Sequence, residues 1–193
     1  MRVLFAGILG GIAMFIWASV AHVMTPLASI GLQPVPNEAA AMGALHQSLG
    51  DKPGLYFFPF MNGAAGGAAA MAAQKAKIAT YGNGLIAYNP PSASAGVSPR
   101  QLIVEFVLEL VESILTAVVL AALVAGFARR VGMAGVIGVV AGMATNFSYW
   151  NWYGFSLDYT LANAFIELMK FVFAGLAIAA VLGWRGRTPA PAV

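Results

Sequence analysis

Cysteine is missing from this chain and charge is scarce. The absence of cysteine excludes disulfides, thiol redox relays, iron–sulfur clusters and cysteine nucleophiles. Histidine is nearly as rare, with His22 and His46 in different regions, so a bis-histidine haem held between helices is disfavoured. There is no Glu-x-x-His pair, which disfavours a carboxylate-bundle di-iron centre. Only 9% of the residues are charged, against about 25% in soluble domains. The formal charge of +3 need not mark an acidic partner. Arginines placed beside apolar runs account for it, and no nucleic-acid partner is expected.

What the chain does have is apolar surface: 60% of the residues are hydrophobic and the mean hydropathy is +0.80. That composition implies an integral membrane protein. Four runs reach the roughly 20 residues of helix needed to cross the hydrocarbon layer: Val3–Met24, Gln101–Ala128, Val131–Trp150 and Tyr159–Trp184. The expected fold is an all-α membrane bundle of four transmembrane helices. Its expected organisation is a first span at 1–24, an outer segment at 25–100, spans at 101–128, 131–150 and 159–184, and a tail at 185–193. Arg2, Arg129, Arg130, Arg185 and Arg187 all fall on one side if the spans alternate, which is the positive-inside pattern. This implies a bacterial-type inner membrane, both termini cytoplasmic and the outer segment periplasmic. Tyr149, Trp150, Trp152 and Tyr153 suit an aromatic belt at the outer interface. The first run is expected to be a retained anchor and not a cleaved signal peptide. It is longer than a usual signal core, and Trp17 and His22 sit where a cleavage site would be.

The outer segment reads as a small α+β element. Asn37 is placed to cap a helix Glu38–Leu49. Leu55–Phe58 and Gly84–Tyr88 are strand candidates bounded by prolines and glycines, and Ala64–Thr80 is alanine-rich and helical in character. Two strands alone are too few for independent stability, so the segment is expected to rest on the bundle. Gly63 to Gly67 has the glycine content of a phosphate loop but lacks its Lys-Ser/Thr. His46 reads as a plain surface histidine, and 92–98 as a flexible linker.

Five ionisable residues break the apolar runs. Glu105, Glu109 and Glu112 share one helical stripe at i, i+4 and i+7, and Asn163, Glu167 and Lys170 repeat that spacing on the last span. At about 1.5 Å per residue, the two rows match in depth at about 6, 12 and 16 Å from the outer end. If the second and fourth spans are adjacent, they form a ladder. Ala134, Gly138 and Gly142 on the third span, and Gly7 and Gly11 on the first, permit close helix approach. Asn146 then faces a neighbouring helix, and His22 lies at a depth like that of Glu105. The expected site is an outward-facing polar crevice of His22, Glu105, Glu109, Glu112, Asn146, Asn163, Glu167 and Lys170, capped by the outer segment.

Ionisable groups in hydrocarbon cost several kcal/mol unless paired, protonated or wetted. Four carboxylates around one lysine are therefore expected to hold at least one proton, at Glu109 or Glu112, or to take up a cation or small solute. Carboxylates with an imidazole are also potential metal ligands, without a spacing that selects a metal. A second reading makes the chain an accessory or assembly subunit of a larger membrane complex or a homo-oligomer, with the ladder serving packing. A third makes it an acid–base or metal enzyme acting on a lipid, and it ranks last for want of a nucleophile–base motif. The sequence names no ligand and no cofactor.

Overall fold

Helices dominate the chain because its apolar runs are long and rich in Ala, Leu, Gly and Val, with proline confined to their edges. The computed structural model describes residues 1–60, 66–92 and 96–183. It divides into two units, one formed by Met1–Leu32 with the chain from Val97 onward, the other by Gln33–Gly96.

In the second unit, helix α2 (Glu38–Leu49), strand β1 (Gly54–Phe58), helix α3 (Ala68–Tyr81) and strand β2 (Gly84–Tyr88) follow in order. Asn37 caps α2 as its sequence suggests, accepting from the Ala40 amide at 3.4 Å. Both strands are where turn residues delimit them, and they pair antiparallel with Gly54 opposite Tyr88 and Phe58 opposite Gly84. Tyr88 is the buried centre of this unit, 3% exposed. Its hydroxyl donates to Gly50 O at 3.1 Å and lies 3.1 Å from His46 Nδ1. His46 is exposed, as its sequence suggests, and ties the end of α2 to β2 through Tyr88. The start of the alanine-rich helix at 64, the glycine-rich loop at 63–65, the linker core at 93–95 and everything from Trp184, including Arg185 and Arg187, lie outside the described residues.

The first unit is a helical bundle. Helix α1 (Arg2–Ser19) continues through a π-helical turn, Val20–Met24. Helix α4 (Pro99–Ala122) begins at a capping box: Ser98 Oγ accepts from the Gln101 amide, and the Gln101 side chain accepts from the Ser98 amide. Ser98 is therefore a helix cap and no part of a loose linker. Helix α5 (Phe127–Gly142) passes through a second π-helical turn, Met143–Phe147, into short helix α6 (Ser148–Tyr153). Gly154, at φ +74°, supplies the left-handed residue that ends it. Helix α7 (Leu157–Gly183) completes the unit, with Ser156 Oγ accepting from the Tyr159 amide at its start.

Three helical segments are long and apolar enough to cross a membrane: Arg2–Met24, Phe127–Tyr153 and Leu157–Gly183. This is the signature of a multi-pass membrane protein. Helix α4 does not join them because it carries three glutamates, although its run is apolar. This helix also ends earlier than its hydropathy suggests, at Ala122 and not Ala128. Leu123 is extended (φ −84°, ψ 127°), and Gly126 then caps α5. Arg129 and Arg130 consequently belong to the first turn of α5. Arg130 reaches back to Leu120 O and Leu123 O, both at 3.2 Å, adding a charged donor to carbonyls at the end of α4. Arg2 does the same for α7, donating to Val181 O at 2.6 Å and Leu182 O at 2.9 Å.

Packing follows the small residues. The glycine face of α1 lies against α4: a Cβ on Gly7 would fall 2.7 Å from Ile114 Cα, and one on Gly10 would collide with Ser113 Oγ. Ala134, Gly138 and Gly142 of α5 lie against α7, where a Cβ on Gly138 would meet Leu168 Cα at 3.0 Å. Helix α7 is central, with α1 along one side and α5 along the other, while α4 runs beside α1. Trp17 fixes the α1–α7 pair, its indole N–H donating to Ile166 O at 3.1 Å.

Candidate functional site

Lys170 is the thirteenth residue after Leu157, about 20 Å along α7 from either end at 1.5 Å per residue. Its side chain is 7% exposed and meets three carboxylates: Glu109 Oε1 at 3.3 Å, Glu167 Oε1 at 3.5 Å and Glu112 Oε2 at 3.6 Å. Glu167 is on the same helix three residues before it, whereas Glu109 and Glu112 come from α4. Small residues on α1 make this arrangement possible. They let α4 approach α1 so closely that its glutamates reach past α1 to α7.

The three carboxylates are not equivalent. The side chain of Glu109 is 1% exposed, that of Glu167 30% and that of Glu112 43%. Lys170 donates a hydrogen bond to Glu167. Both oxygens of Glu109, Oε2 of Glu112 and the Ser113 hydroxyl are buried without a hydrogen-bond partner among the described residues. One ammonium thus faces three acidic groups, and removal of a charge from water costs several kcal/mol unless it is compensated.

Beside Lys170 is a cavity of about 340 Å³ whose lining includes Glu112, Glu167, Thr145, Asn146, Asn163 and Phe171. Asn146 lies in the π-helical turn, and such turns bring out side chains that a regular helix would stack. Its Nδ2 donates to Gly142 O at 3.1 Å, and Asn163 Nδ2 donates to Tyr159 O at 2.9 Å. Thr145 Oγ1 donates to Ala141 O at 2.8 Å. A second cavity, of about 330 Å³, shares Glu112 and Phe171 with the first and is otherwise lined by Leu115, Thr116, Val119 and Ile137. A larger one, about 720 Å³, lies at the opposite end of the bundle near Arg2 and Arg130.

Six of the eight sequence-predicted site residues are therefore brought together: Glu109, Glu112, Glu167 and Lys170 by ion pairs, Asn146 and Asn163 by the cavity they share with Glu112 and Glu167. Two are not. Glu105 is exposed on α4, one turn before Glu109 and outside the cavity lining. His22 is exposed in the first π-helical turn, its Nδ1 2.9 Å from Ala18 O. The ladder gains a contact that equal depth did not suggest. The expected Glu112–Lys170 rung is present at 3.6 Å, and Lys170 also reaches Glu109, at 3.3 Å, one turn nearer the start of α4. Among the described residues no group of three or more His, Cys, Asp or Glu side chains is arranged to hold a metal ion. Sequence reasoning missed Thr145, Phe171 and Ser113. Ser113 stands four residues after Glu109 on the same stripe, and Phe171 follows Lys170 directly, so adjacency was the available signal.

The aromatic run after α5 packs on itself. Tyr149 stacks with Tyr153 at 6.0 Å and Phe155 at 5.4 Å, and Phe155 meets Tyr159 edge-on at 5.5 Å. Trp152 remains 73% exposed. Comparison with protein-family models, with curated proteins and with solved structures finds no match to this chain.

Proposed function

We propose that this is a four-span protein of a bacterial-type inner membrane, with both termini cytoplasmic, whose carboxylate cluster takes up a proton, a cation or a small solute from the outer side. Helix α4 is read as the fourth span, since its 24 residues extend about 36 Å alongside α1. The arginines support the orientation. Arg2 bonds the end of α7 and Arg130 the end of α4, so these basic groups gather at one end of the bundle.

The observation that carries the functional reading is the charge imbalance at Lys170. Three carboxylates lie within 3.6 Å of one ammonium, and two of them line a cavity. Packing alone needs one carboxylate for one lysine. Interhelical polar contacts in membranes contribute only about 0.6–2 kcal/mol, too little by themselves to account for three acids, one of them fully buried, around a single lysine. The surplus is what binding a proton or a cation compensates. In this reading Glu109, Glu112 and Glu167 are the titrating groups and Lys170 is their fixed counter-ion.

The test is proton release. Purified protein in liposomes is titrated with inorganic or organic cations while released protons are followed with a pH dye. The wild type is expected to release protons saturably, and Glu112→Gln and Glu167→Gln to lose most of that signal. Release from the variants equal to that of the wild type overturns the proposal.

A further inference from the structure

We infer that the cavity beside Lys170 holds the head of a single-chain amphipathic primary amine, whose hydrocarbon tail lies in the adjoining apolar groove. This deepens the proposed function and rests on it. Three observations lead to a ligand of this chemistry.

The first is the sign of the wall. Glu109, Glu112 and Glu167 share the single ammonium of Lys170, so the cluster has two acidic groups in excess. Glu112 and Glu167 both line the cavity. Oε2 of Glu112 is buried 3.6 Å from Lys170 Nζ without a hydrogen bond to it, so the lysine satisfies this carboxylate only in part.

The second is donor and acceptor chemistry. A backbone carbonyl only accepts, so the bonds to Gly142 O and Tyr159 O fix which way the two asparagine amides are turned. Their nitrogens are engaged with the backbone, and their Oδ1 atoms are what remain for a ligand. The Thr145 proton is likewise spent on Ala141 O. Carboxylates and amide oxygens accept, and a primary ammonium offers three donors to them. A quaternary ammonium has the charge but none of the donors. An anion leaves the acids unpaired.

The third is the groove. It meets the polar cavity at Glu112 and Phe171, and its remaining wall is Leu115, Thr116, Val119 and Ile137. Thr116 is no exception to its apolar character, since its hydroxyl donates to Glu112 O at 2.8 Å. Leu115 is 61% and Val119 49% exposed, so the groove opens on the outside of the bundle between α4 and α5, where the four-span reading puts lipid. A hydrated inorganic ion has no use for such a groove. A chain entering sideways from the bilayer does, and it carries its ammonium to Glu112.

The experiment uses the full chain in phosphatidylcholine nanodiscs and radiolabelled butyl-, octyl- and dodecylammonium. Binding to empty discs is subtracted, and affinity is referred to free aqueous probe. Saturable binding is expected, tightening with chain length by up to about fourfold per methylene buried. Dodecyltrimethylammonium is expected to bind at least about tenfold more weakly than dodecylammonium, a difference of about 1.4 kcal/mol. Val119→Trp, a change at an exposed position that fills the groove, is expected to weaken dodecylammonium and leave butylammonium unaffected. Glu112→Gln is expected to weaken both. Affinity that ignores chain length, or no preference for the primary amine, overturns this inference while Glu112-dependent butylammonium binding leaves the proposed function standing. No saturable binding of any amine, with proton release also indifferent to Glu112→Gln, overturns both. The chain-length series needs only the wild type, so a variant that fails to fold does not spoil it.

Discussion

Replacing Lys170 by methionine keeps much of the side-chain volume and removes the one positive charge of the cluster. The arrangement around it makes the cost asymmetric. Lys170 has three partners, so losing any single glutamate leaves it paired, whereas losing Lys170 strands all three. Glu109 dominates the penalty, because its side chain is 1% exposed while those of Glu167 and Glu112 are 30% and 43% exposed and better able to reach solvent or a counter-ion. Removing one partner of a buried pair costs about 3–5 kcal/mol, and replacing both by apolar or neutral groups is often close to neutral. Lys170→Met is therefore expected to destabilise by about 3–5 kcal/mol at neutral pH, and Glu109→Gln by about 1 kcal/mol or less. The double variant is expected to recover at least about 2 kcal/mol of the lysine loss. The deficit of Lys170→Met should narrow on acidification, since a protonated carboxyl needs no counter-ion. Equilibrium unfolding in mixed micelles, followed by far-UV circular dichroism, measures all three proteins. Equal stability of Lys170→Met and Glu109→Gln refutes the asymmetry. A double variant no better than Lys170→Met refutes the assignment of Glu109 as the group left stranded.

Two further predictions concern the scaffold. Gly7→Val places Cβ 2.7 Å from the backbone of Ile114 and is expected to cost about 1–3 kcal/mol through overpacking. Gly132→Ala, with nothing within 4 Å of the new Cβ, should be neutral or stabilise by up to about 1 kcal/mol through helix propensity; thermal midpoints in detergent that rank the two alike would contradict the packing of α1 on α4. Arg130→Ala removes the donors to Leu120 O and Leu123 O and is expected to cost about 1.5–3 kcal/mol, visible as faster amide exchange at the α4–α5 turn, while Arg129→Ala at an exposed position stays within about 0.5 kcal/mol of the wild type.

Much of this was legible from residues alone because it depends on local periodicity. Hydrophobic runs located the long helices to within a few residues, and Asn37 and the prolines and glycines around the strands marked the elements of the smaller unit. Helical spacing put Glu109 and Glu112 on one stripe and Asn163, Glu167 and Lys170 on another, and the small residues of α1 and α5 announced where backbones approach. The boundary between α4 and α5 was not legible, because Leu123–Gly126 is as apolar as the helices it separates and only the extended backbone at Leu123 ends the run.

Which helix touches which is a different kind of question. Spacing shows which side chains share a face, but it is silent on the neighbour that face meets and on how two helices are offset along their axes. Only the tertiary structure decided that α1 lies along α4 and α7, that Lys170 gathers Glu109, Glu112 and Glu167, and that Glu105 and His22 stay outside. The physical reason is that glycine-mediated close approach sets those offsets, and a shift of a single helical turn, about 5.4 Å, exceeds the reach of an ion pair.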